Sequence, residues 1–198
     1  MRRIAIFASG RGSNAVNIIK YFSCGDRGAA VALVICNNPK AEVTERCRSL
    51  GVHVEVLSRA DINSPDVMCP LLERHEVDLI VLAGFLQMLP PFLTGRFAGN
   101  IVNIHPSLLP RFGGKGMYGR HVHEAVVAAG ESETGITVHL VNDKYDDGRI
   151  LFQASVAVAP GDTAADVEHK VHLLEKTHFP RVIAATFCRG DQVNQATV

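Results

Sequence analysis

Short apolar runs alternating with longer stretches of helical spacing constrain this chain more than any other feature. Ile4–Ala8, Val31–Cys36, Val52–Leu57, Leu79–Ala83 and Ile101–Ile104 have strand length and are rich in aliphatic residues. Between them, Ser13–Phe22, Ala41–Leu50, Asp66–His75 and Phe92–Phe97 space their apolar residues as helices do, with Gly51 placed as a C-terminal cap. Because the strand runs are continuous, not alternately apolar and polar, they predict strands buried on both faces. That is the mark of a mostly parallel sheet with helices on each side, an α/β fold.

The later part of the chain changes character. His121–Ala129 has helical periodicity, and Thr134–Val141 and Ile150–Val158 are rich in β-branched residues, joined by the turn-like Asn142–Arg149. These two strands form an antiparallel pair or extend the sheet. Thr163–Phe187 reads as a long helix with a possible break at Pro180. No repeat, low-complexity tract or linker divides the sequence, so residues 1–198 are expected to form one domain.

Charge and cysteine usage narrow the setting. Twenty basic and twenty acidic side chains cancel, leaving no global field for nucleic acid or an anionic membrane. The apolar runs fall well short of the roughly 20 residues that span a bilayer. After Met1-Arg2-Arg3 the run Ile4–Ala8 is too short for a secretory segment. Five cysteines (Cys24, Cys36, Cys47, Cys69, Cys188) contain no Cys-x-x-Cys pair, which fits reduced thiols in the cytoplasm.

Two motifs carry chemistry. Gly10-Arg11-Gly12-Ser13-Asn14-Ala15 lies between a predicted strand and a predicted helix. There, glycines admit an anion close to the backbone, and helix N-terminal amides favour phosphate. A dinucleotide site also wants a carboxylate after the second strand, but that strand ends Cys36-Asn37-Asn38-Pro39. Phosphate without an adenosine ribose is the better reading, and a tight glycine turn with a serine cap is the plain alternative. The second motif is Asn103-Ile104-His105-Pro106-Ser107. On an extended backbone Asn103 and His105 point the same way, and Pro106 keeps His105 extended and ends the sheet pairing. An amide donor and a titratable ring side by side at a strand end could hold an oxyanion and move a proton, although a packed histidine has the same local sequence.

Five segments in order, Ser9–Asn14, Leu82–Leu86, Asn103–Pro110, Gly135–His139 and Asp146–Gly148, closely resemble the phosphoribosylglycinamide formyltransferase family. The likeness extends to about Phe179-Pro180. It implies a single doubly wound, mostly parallel sheet of the formyltransferase type with an antiparallel C-terminal portion. A phosphate-binding half would run to about residue 100, with a catalytic and folate-binding half beyond it. It further implies formyl transfer from 10-formyltetrahydrofolate to the amine of glycinamide ribonucleotide in purine biosynthesis. No metal or NAD is needed, and the oligomer is a monomer or a homodimer.

By resemblance, Asn103, His105 and Asp146 are the catalytic trio. Gly12, Ser13 and Asn14 hold the substrate phosphate, and Glu175 contacts the ribonucleotide. Leu86, Gln87, Met88 and Leu89, with Asn103 and the turn Val141, Asn142, Asp143, Lys144, Tyr145, Asp146, line the folate pocket. Arg59 is the candidate folate-contacting arginine, and Asp146 is expected to raise the pKa of His105. The family's Asp-Gly-Gly stands here as Asp146-Asp147-Gly148, and the glycine-rich Phe112–Gly119 is longer than in short family members, suggesting a mobile flap.

Other readings have less support. His121 and His123 diverge by about 200° on a helix, which argues against a zinc site with His105 and His139. His172 could approach the substrate phosphate. Methionyl-tRNA formyltransferase normally adds a tRNA-binding domain, formyltetrahydrofolate hydrolase an N-terminal one, and a nicotinamide oxidoreductase needs the missing carboxylate. A non-catalytic nucleotide-binding protein would leave the Asn103, His105 and Asp146 coincidence unexplained.

Overall fold

A computed structural model describes residues 1–188; the expected domain's last stretch, 189–198, lies outside the described residues. Among the described residues seven strands form one sheet: β1 (Arg2–Ala8), β2 (Ala29–Cys36), β3 (Val54–Val56), β4 (Leu79–Leu82), β5 (Ile101–His105), β6 (Glu133–Leu140) and β7 (Ile150–Ala157). Their order is β3-β2-β1-β4-β5-β6-β7. The first five are parallel, and β6 and β7 run antiparallel. The two late strands are thus both an antiparallel pair and an extension of the sheet.

The continuous apolar runs are explained by burial on both sides. Ile4, Ile6, Ala8, Val34 and Cys36 point into one core layer, which also receives α1 (Ser13–Ser23) and α7 (Ala164–Ile183). Their neighbours Ala5, Phe7, Leu33 and Ile35 point into the other, with α4 (Pro65–Arg74) and α5 (Pro91–Arg96). Period-two geometry sends successive side chains to opposite layers, so every position must be apolar. The remaining helices are α2 (Val43–Arg48), α3 (Arg59–Ile62) and α6 (Arg120–Ala128).

Two local features differ from the sequence reading. The turn α3 lacks a helical pattern long enough to detect, yet Ser58 and Asp61 close a reciprocal capping box that makes residues 59–62 helical. Pro180 does not break α7, which runs on to Ile183 before a π-helical turn, Ala184–Cys188. Proline cannot donate to the Lys176 carbonyl four residues earlier, and Asn17 Nδ2 donates to that carbonyl instead, at 2.9 Å. Among the described residues no helix is long and apolar enough to cross a membrane.

Candidate active site

The chain moves outward from β1 through β2 to β3, then returns to place β4 on the other side of β1. Such a reversal leaves a crevice at the carboxyl ends of β1 and β4, where doubly wound folds bind their ligands. Gly10–Asn14 forms one wall. Gly12 adopts φ 74°, and a Cβ there would run into the Val43 side chain. The first helical residue is Ser13, and Gly12 at the N-cap offers no side chain to the helix amides. Those amides are therefore open to an anion, and a serine cap is not what shapes the turn. From outside, α2 fastens the loop: Val43 N–H donates to the Gly10 carbonyl at 3.2 Å, and Arg46 Nη1 to the Arg11 carbonyl at 2.8 Å.

Asn14 Nδ2 donates to Glu175 Oε2 at 3.0 Å, joining the loop to α7. Burial pushes the Glu175 carboxyl above its ordinary range, against the pull of His172 and Asn14. His172 Nε2 lies 3.9 Å from both Glu175 and Glu168. His123 is buried on α6, where desolvation lowers its pKa, and no metal-holding group of three or more His, Cys, Asp or Glu occurs among the described residues.

The polar centre lies at the end of β5. Asn103 and His105 share a face, and across the antiparallel β5–β6 register they pair with His139 and Thr137 respectively. Asn103 Nδ2 lies 3.1 Å from His139 Nε2, and His139 Nδ1 lies 2.8 Å from the Leu140 carbonyl. A carbonyl only accepts, so His139 carries a proton on Nδ1, while its Nε2 faces both the Asn103 amide and, 3.6 Å away, Asp146 Oδ1. The contact with His139 fixes the Asn103 amide and leaves its second N–H free.

His105 is 4% exposed. Its Nε2–H donates to the Phe112 carbonyl at 2.8 Å, which turns Nδ1 toward Asp146 Oδ2, 3.5 Å away. Asp146 does pull the His105 pKa upward, but burial outweighs it and the net shift is downward, contrary to expectation. Burial also pushes the Asp146 carboxyl up, yet His139, His105 and the Gly114 N–H together hold it below the usual carboxylate range. Asp146 is the carboxylate that faces the ring, whereas Asp147 pairs with Lys144 at 3.9 Å. The Asp146 backbone is left-handed at φ 51°, a conformation aspartate tolerates better than most residues. Behind it, a Cβ on Gly148 would strike the Leu140 carbonyl, so the turn closes only around glycine.

A cavity of ≈ 360 Å³ opens beside this cluster. Its walls include Leu86–Leu89 after β4, Asn103 and His105, and Val141, Asn142, Lys144, Tyr145 and Asp146 from the β6–β7 turn. Asp143 departs from the expected set, because the turn directs it toward a separate groove beside α5. Arg59 also departs: it lies on α3 after the edge strand β3, separated from β4 by β2 and β1, and does not line the cavity. The glycine-rich segment forms a wall from Gly114 to Gly119, and Gly114 N–H donates to Asp146 Oδ2 at 2.9 Å. His139, the Phe112 carbonyl and the Gly114 amide are site groups that the sequence reading missed. His139 stood within the quoted Gly135–His139 segment, but its partner is revealed only by strand register.

A doubly wound sheet with an open helix N-terminus after β1 and a cavity lined by Asn103, His105 and Asp146 at the ends of β4 and β5 defines an α/β protein of the ligand-binding doubly wound class. The chain belongs to the formyl transferase family, whose model matches residues 2–183. It is 39% identical over 189 residues to a chloroplastic phosphoribosylglycinamide formyltransferase of Arabidopsis thaliana, covering 93% of this chain and 65% of that one. A chloroplastic relative of the same name from Vigna unguiculata is 37% identical; the alignment covers 93% of this chain and 60% of that one. The chain thus spans somewhat less than two thirds of these plant relatives. The phosphoribosylglycinamide formyltransferase of Haemophilus influenzae is 38% identical, with 92% of this chain and 86% of that one covered. Among solved structures, that of phosphoribosylglycinamide formyltransferase from Bacillus halodurans superposes with a TM-score of 0.87 at 33% identity, covering 97% and 98% of the two chains.

Proposed function

We propose that this chain transfers the formyl group of 10-formyltetrahydrofolate to the primary amine of glycinamide ribonucleotide, giving formylglycinamide ribonucleotide and tetrahydrofolate in purine biosynthesis. The observation that carries the reading is that Asn103, His105 and Asp146 come together on the wall of one cavity, with the His105 ring 3.5 Å from the Asp146 carboxylate. The substrate phosphate would lie on the amides of Gly12, Ser13 and Asn14, with Glu175 contacting the rest of the ribonucleotide. The folate would occupy the cavity against Leu86–Leu89 and the β6–β7 turn.

An amine of pKa about 8 is partly neutral near pH 7 and needs little activation. Its nitrogen attacks the formyl carbon, and the carbonyl electrons move onto oxygen, where the free N–H of Asn103 donates to the oxyanion. His105, with its Nε2–H on the Phe112 carbonyl and its Nδ1 beside Asp146, is the general base that takes the proton released by the attacking nitrogen. Asp146 stabilises the imidazolium so formed. Delivery of that proton to the folate nitrogen lets the carbon–nitrogen bond break as the carbonyl re-forms. Nothing in this sequence calls for a metal, a nicotinamide or a covalent enzyme intermediate. The reading treats the chain as one domain acting in the cytoplasm as a monomer or homodimer.

Purified protein supplied with both substrates should produce tetrahydrofolate and formylglycinamide ribonucleotide in equal amounts, and His105→Ala should fold but lose nearly all activity. Release of formate without formylated ribonucleotide would make the chain a hydrolase. Absence of both products would overturn the catalytic assignment.

A further inference from the structure

The crevice at the switch point is bridged by one buried side chain that the proposed chemistry does not use. Ser9, the residue after β1, is 8% exposed. Its N–H donates to the Gly84 carbonyl at 3.0 Å, and its Oγ accepts the Leu86 N–H at 3.1 Å. The segment after β4 leaves the strand through Gly84 at φ 74°, which takes the Leu86 amide away from any ladder partner. A hydroxyl on the neighbouring strand end supplies the missing acceptor. Packing does little for this stretch: Leu86 is 52% exposed and Met88 42%, while Phe85 and Leu89 on either side are anchored in the core.

We infer that Ser9 is a positioning residue, whose hydroxyl sets the folate-facing segment Leu86–Leu89 at a fixed place relative to the anion-binding loop. The inference rests on the proposed formyl transfer, since it concerns how far the two bound substrates stand from one another. Attack within a ternary complex depends steeply on such spacing. The hydroxyl acts on one side only. The anion loop keeps its ties to α2 through Val43 and Arg46 when the hydroxyl is removed, and Ser9 keeps its backbone bond to Gly84. Only Leu86 loses a partner.

Ser9→Ala tests this. Losing the bond that holds the Leu86 amide, worth about 1 kcal/mol, lets the segment leave its folate-binding position and weakens folate binding by up to roughly fivefold. The expected result is therefore a KM for 10-formyltetrahydrofolate raised by up to about fivefold, with the KM for glycinamide ribonucleotide changed less than twofold. Equilibrium binding of 10-formyltetrahydrofolate, which requires no turnover, should show the same loss. An unchanged folate constant would overturn the inference, as would equal weakening of both substrates, the signature of general loosening. Wild-type protein that binds folate but transfers no formyl group would instead refute the proposed function, leaving the Ser9 comparison to the binding measurement.

Discussion

Replacing Asp146 by Asn removes one charge and almost no volume, so it isolates what the carboxylate does for His105. With Nδ1 and Oδ2 3.5 Å apart, an effective dielectric of roughly 20 gives an attraction of about 5 kcal/mol between imidazolium and carboxylate. At about 1.4 kcal/mol per tenfold, that sets a ceiling of three to four orders of magnitude on the rate. Water reaches part of the Asp146 side chain and screens the pair, and an asparagine oxygen can still accept from Gly114. A fall in kcat of about 100- to 1,000-fold is therefore expected, with both KM values changed far less. The pH profile gives an independent check. Burial depresses the His105 pKa, so the acid limb of wild-type kcat/KM should lie below the ordinary histidine value of about 6.5. Without Asp146, the main group pulling that pKa upward, the limb should move lower still. Raising the pH should not restore the lost rate, because the deficit lies in stabilising the imidazolium formed during transfer. Single-turnover formyl transfer between pH 5 and 9 measures all of this. If Asp146→Asn keeps more than a tenth of the rate, or moves the limb upward, the acid–base assignment fails.

Three further outcomes follow from the same geometry. The folded state holds the Glu175 proton more tightly than the unfolded chain does, so stability falls as pH rises from the unfolded value near 4.3 through the folded pKa. Glu175→Gln should therefore melt higher than wild type at pH 8, by about 2–4 °C for each kcal/mol relieved, and show no advantage at pH 4. The same variant should raise the KM for glycinamide ribonucleotide, and calorimetry at both pH values with initial rates decides the matter. Gly148→Ala must push Leu140 or open the β6–β7 turn, at a cost of about 1–3 kcal/mol, and should lower kcat by displacing Asp146; urea unfolding and kinetics should move together. Asn17→Ala leaves the Lys176 carbonyl without its donor opposite Pro180, which should cost about 1 kcal/mol in urea unfolding without changing any kinetic constant.

The parts of the molecule legible in the sequence are those in which neighbours along the chain determine the outcome. Continuous runs such as Ile4–Ala8 predict a two-sided sheet because consecutive side chains must enter two different core layers, as Ile4 and Ala5 do. Asn103 and His105 could be paired because a period of two is a local property of the extended backbone. Contacts set by register between distant segments could not be read this way. His139 meets Asn103 only because β6 returns antiparallel with that alignment, and a slip of one residue would have turned it to the other face. Backbone donors and acceptors were hidden for a different reason: the Phe112 carbonyl and Gly114 amide carry no residue identity, though they fix the tautomer of His105 and the position of Asp146. The pKa expectation failed on the same ground. Opposite charge between Asp146 and His105 is visible as a pair of letters, whereas the desolvation that outweighs it comes from the whole enclosing fold. Burial and partner then act at different stages of one reaction. In the proposed transfer, desolvation favours the neutral ring that accepts a proton, and Asp146 favours the cation once that proton has arrived.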